Sequence, residues 1–139
     1  MQIPEDLRKK LVSEIRFVVG KIRTEQDLRT RTYYLSGIHG EMLRLVNINF
    51  DPHLLFAHNV LNAAFTTIRG RADAIVLGRD IVINFPPGFF DKLSSLLDGL
   101  ATSIELDKEL YKILQDISNL AYIGTGNGYY LFQKGIIKL

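Results

Sequence analysis

Asp51-Pro52 opens the most regular stretch of this 139-residue chain. An acidic residue suits the N-cap of a helix, and proline suits its first position. Leu54, Leu55, His58, Leu61, Ala64, Phe65 and Ile68 then recur at helical spacing. Asp51 to Ile68 is therefore expected to form a long helix with one apolar face, ended or loosened at Gly70. Such a face leaves water only when another element packs on it, so the rest of the chain must supply that cover.

Elsewhere the chain reads as alternating short helices and strands. Pro4-Glu5-Asp6 starts a helix that should stop near Ser13. Ile15, Phe17, Val18 and Val19 are β-branched or aromatic and predict a strand from Glu14 to Ile22. Thr24 to Arg31 reads as a short capped helix, Ser36 to Gly40 as a turn, and Met42 to Phe50 as a central strand. Ala74–Leu77 and Asp80–Asn84 flank Gly78-Arg79 as a hairpin would. Phe89 to Gly99 and the stretch after Asp107 predict amphipathic helices. Thr102 to Leu106 suggests a short strand, and Tyr129 to Leu139 a closing one. The expected fold class is α/β, a single-domain mixed sheet packed with helices over residues 1–139.

Absent residue types narrow the chemistry. There is no cysteine, which excludes disulfides, thiolate catalysis and Cys-based zinc sites. No apolar run approaches the roughly 18 residues of a membrane span, and Met1 to Lys10 is too charged for a signal peptide. A cytoplasmic protein with no membrane partner is expected. His53 and His58 stand five residues apart and so on different helix faces. His58 shares the apolar stripe of its helix, which fits a hydrogen-bonded core-edge residue better than a metal ligand. Asp98, Glu105, Asp107, Glu109 and Asp116 fit caps and solvated faces better than an acid/base pair. Gly124-Thr125-Gly126-Asn127-Gly128 lacks the Lys-Ser/Thr of a phosphate loop and precedes a strand-like run. No catalytic residue, metal or cofactor is assigned.

The basic residues suggest a binding surface. Residues 1–80 hold twelve basic and nine acidic residues. Arg29 and Arg31 lie on the second helix and Arg69 and Arg71 near the end of the long one, where they could converge on phosphates. Tyr33 follows directly and could stack on an unpaired base. Phe56 and Asn59, on the outer side of the long helix, are candidate partner contacts.

Three stretches carry a resemblance: Arg16-Phe17-Val18-Val19, Asp27-Leu28-Arg29, and Asn47-Ile48-Asn49-Phe50-Asp51-Pro52-His53-Leu54-Leu55-Phe56-Ala57. With Asp107-Lys108-Glu109-Leu110-Tyr111 and the ending Gly135-Ile136-Ile137-Lys138-Leu139, this order resembles the kinase-binding subunit of the KEOPS complex. The resemblance implies an α/β sandwich-like fold with no activity of its own. It implies docking on a small atypical kinase and binding of the tRNA CCA end, in support of threonylcarbamoyl modification of adenosine. Two alternatives stand beside this reading. One is a self-associating structural module, a homodimer with no RNA role. The other is a nucleotide-binding enzyme that uses the Gly124–Gly128 turn.

Overall fold

The β-branched residues expected to form a strand over 14–22 fall into a helical period once Leu11 and Val12 are counted with them. Leu11, Val12, Ile15, Val18, Val19 and Ile22 are all buried on one face of a single helix. The computed structural model describes residues 1–79 and 84–138 and shows seven helices, with no strand among the described residues. They are α1 (Glu5–Thr24), α2 (Leu28–Tyr33), α3 (Leu35–Ile48), α4 (Pro52–Leu77), α5 (Phe89–Glu105), α6 (Tyr111–Ile123) and α7 (Gly126–Gln133). The expected mixed α/β sheet is thus corrected to an all-helical fold.

The same physics corrects each expected strand. Leu35, Ile38, Met42, Leu45 and Val46 follow a 3.6-residue period and are buried together, so the turn at Ser36–Gly40 and the strand at Met42–Phe50 give way to α3. Burial of the whole stripe outweighs the intrinsic strand preference of valine and isoleucine, which is worth only a fraction of a kilocalorie per residue (roughly 0.5 kcal/mol). Gly70 sits inside α4, which runs on to Leu77. Gly78, at φ 62°, is the C-cap rather than a hairpin turn, with its neighbour Arg79 donating to the Ala74 carbonyl at 3.2 Å. The second arm of the expected hairpin falls mostly outside the described residues. Thr102 to Glu105 extends α5, and Tyr129 to Gln133 lies in α7.

The N-terminus of α4 follows its sequence signal: the Asp51 carboxylate accepts from the Leu54 N–H at 2.9 Å. For α2 the cap is Asp27, which accepts from Thr30 N–H at 2.9 Å, three residues beyond the expected Thr24.

Five helices close a ring. α1 packs on α3 and α5, α3 on α4, α4 on α6, and α6 on α5. The core inside includes Leu11, Ile15, Ile38, Leu61, Phe65 and Leu93. α2 lies mainly on α4, and among the described helices α7 packs on α6 alone.

A buried arginine fastens the ring at one end. Arg8, 7% exposed, donates from one guanidinium nitrogen to the Ile104 carbonyl at 2.6 Å and from the other to the Met1 carbonyl at 3.1 Å. It also lies 3.5 Å from Asp107 and 3.6 Å from Glu5. Asp107 holds φ 53° in the turn that ends α5, a region that aspartate tolerates better than most side chains. Arg8→Ala removes the guanidinium bonds to the Ile104 and Met1 carbonyls and leaves a gap behind them. Chemical denaturation should show a loss of about 2 kcal/mol, whereas Arg16→Ala, whose pair with Glu105 lies in solvent, should shift the midpoint little.

Candidate nucleic-acid interface

Two one-turn spacings face each other across the α2–α4 contact. Arg29 and Tyr33 are one turn apart on α2, and Arg69 and Asp73 one turn apart on α4. Arg29 Nε donates to Asp73 Oδ1 at 3.0 Å, and the Arg69 guanidinium stands 5.8 Å from the centroid of the Tyr33 ring. The two rungs run antiparallel. Together with Thr30 and Thr32 they line an open cleft of about 290 Å³. Tyr33 is 64% exposed, so most of its ring faces solvent. Arg29 and Asp73 are both about half exposed, so their ion pair is weak and open to competition by an incoming anion.

The other two expected arginines do not line this cleft. Arg31 turns the opposite way: its Nε donates to the Ile22 carbonyl at 2.6 Å and its guanidinium lies 4.1 Å from the centre of the Phe90 ring. Burial lowers its pKa against the raising pull of Asp91. It fastens α1 and α5 to α2. Arg71 is partly buried on α4.

Phe56 belongs to a different surface. It meets Tyr111 of α6 edge-to-face at 5.4 Å, and the Tyr111 hydroxyl lies 3.3 Å from His53 Nδ1. Two adjoining hollows of about 280 and 710 Å³ meet at this pair, floored by Leu114 and extending past Val60 to Ser118. Asn59 is exposed and its carbonyl oxygen lies 3.1 Å from His58 Nδ1. Sequence reasoning missed Tyr111 and His53. Their signal was an aromatic and a polar ring just off the apolar stripe at two helix starts.

The glycine run has a packing role. Gly128 sits so close to the end of α6 that a Cβ there would lie 1.7 Å from the Tyr122 carbonyl oxygen, and one at Gly124 would crowd Phe85 and Phe89. The run leads into a helix rather than the expected strand, and Thr125 caps that helix by accepting from Gly128 N–H at 3.1 Å.

A pair of histidines lies between α3 and α4. His39 on α3 and His58 on α4 have ring centroids 6.4 Å apart, and His39 also stands 6.2 Å from Phe65. His39 Nε2 and the Ser36 hydroxyl are buried without a hydrogen-bond partner among the described residues. No group of three His, Asp or Glu side chains is placed to hold a metal among the described residues. No model of a known protein family, no curated protein and no solved structure matches the chain.

Burial, then the neighbouring His58, then Arg69 push His39 below the ordinary imidazole value of 6.5. The unfolded chain therefore takes up this proton first, and stability should be full above pH 6.5 and fall as the pH drops toward the folded value. Denaturation midpoints between pH 8 and 5 should decline in the wild type and decline less in His39→Gln.

Proposed function

We propose that this chain is a helical binding module that takes single-stranded RNA at the α2–α4 cleft. The observation that supports the reading best is Arg69 beside the exposed ring of Tyr33. An aromatic face accepts any base by stacking, and a guanidinium next to it can meet the adjoining phosphate. Arg29 supplies a second cation one turn away, at the cost of releasing Asp73. The module would position the RNA, with chemistry supplied by whatever partner it serves.

On the KEOPS reading the RNA would be the tRNA CCA end and the partner a small kinase seated on the Phe56 surface. That resemblance implies a sandwich-like α/β fold, and the helical ring is a different one. The proposal is therefore the coarser statement, single-stranded RNA held by stacking and phosphate contact.

Titration of a fluorescent poly(U) oligomer over a salt series tests it. Arg69→Ala should weaken binding and reduce the log–log salt slope by roughly 0.7, the increment for one contact on a single strand. Tyr33→Ala should weaken binding about tenfold with the slope kept. Lys112→Ala, on α6 and outside the cleft lining, should leave both unchanged. Equal affinities and slopes for the wild type and the two cleft variants would defeat the proposal.

A further inference from the structure

The last 23 residues carry basic side chains and no acidic ones. Residues 1–116 hold fifteen basic and fifteen acidic residues, and residues 117–139 add Lys134 and Lys138 with no acid. This stretch holds the end of α6 and the whole of α7. Among the residues of α7 only Gly128 is buried. Tyr130 stands exposed, and the Lys134 ammonium, one turn further on, lies 5.5 Å from the centre of its ring. Gly135, at φ 74°, then turns the chain: Ile136 N–H donates back to the Leu131 carbonyl at 3.0 Å, and the Ile136 side chain is left 70% exposed.

We propose that this C-terminal arm is a peripheral membrane contact that rests on an anionic lipid surface. Tyrosine rings suit the level of the headgroups, aliphatic tips reach below it, and lysine ammonium groups meet lipid phosphates while their stems cover apolar surface. A second copy of the chain is a poor occupant, since two arms with lysines and no acid would repel. A nucleic acid would leave Ile136 without a counterpart. The contact lies on the surface: no described helix is long and apolar enough to cross a membrane. It departs from the expectation of no membrane partner, which rested on the lack of a spanning run.

Sedimentation of the full chain with vesicles tests it, one set mixed phosphatidylglycerol and phosphatidylcholine and the other phosphatidylcholine alone. The wild type should pellet with the anionic set, less so in 0.5 M salt, and weakly or not at all with the neutral set. Lys134→Gln with Lys138→Gln should lower the partition coefficient roughly thirtyfold, and Ile136→Ser should lower it as well. These side chains are exposed, so folding is not at stake. Tyr33→Ala should leave vesicle binding intact, which separates this surface from the RNA cleft. No pelleting, equal pelleting with both lipid sets, indifference to the lysine and Ile136 changes, or loss in Tyr33→Ala would each overturn the proposal.

Discussion

The broad apolar face of α1 needs two helices to cover it, and the ring follows from that need. Leu11, Ile15, Val18 and Ile22 are 0% exposed, and both α3 and α5 pack on the helix that carries them. Full burial of each such side chain is worth roughly 1.5–3 kcal/mol. α4 and α6 then join α3 to α5 and complete the enclosure. Two arginines secure helix ends that hydrophobic packing cannot satisfy. Arg8 takes the Ile104 carbonyl in the last turn of α5, and Arg31 takes the Ile22 carbonyl in the last turn of α1. C-terminal carbonyls of a helix lack partners inside it; the buried Arg8 adds to the Asp107 N–H bond on the Ile104 carbonyl, and the half-buried Arg31 meets the Ile22 carbonyl.

What was legible in the sequence is local and chemical. The Asp51-Pro52 start, the apolar stripe behind it and the amphipathic segment after Phe89 could be read because each rests on a few neighbouring residues. The fold class was misread where residue type and residue spacing disagree. Ile15, Val18 and Val19 look like strand residues by type but sit at helical spacing, and spacing decides which face can be buried. Ser36 to Gly40 misled in the same way: two glycines inside α3 read as a turn, and the buried stripe of Leu35, Ile38, Met42, Leu45 and Val46 holds them in a helix.

The candidate site was half legible. Arg29, Tyr33 and Arg69 could be named by type, because arginine and tyrosine have few roles beside one another at a helix end. Their meeting could not be read, since it depends on α2 lying antiparallel on α4. Arg31 shows the limit most plainly. It is of the same type and only two residues from Arg29, yet a rotation of about 200° round the helix sends it to a carbonyl and the Phe90 ring instead of solvent.

Helix α4 runs unbroken through 26 residues, about 39 Å of rigid rod. Phe56 lies toward one end and Arg69 toward the other, about 20 Å apart along the axis and on well-separated faces. Whatever occupies the two surfaces is held at a fixed span, as on a ruler. Two molecules bound there would neither collide nor drift apart, and each would meet the other at an effective concentration set by one helix rather than by a flexible linker.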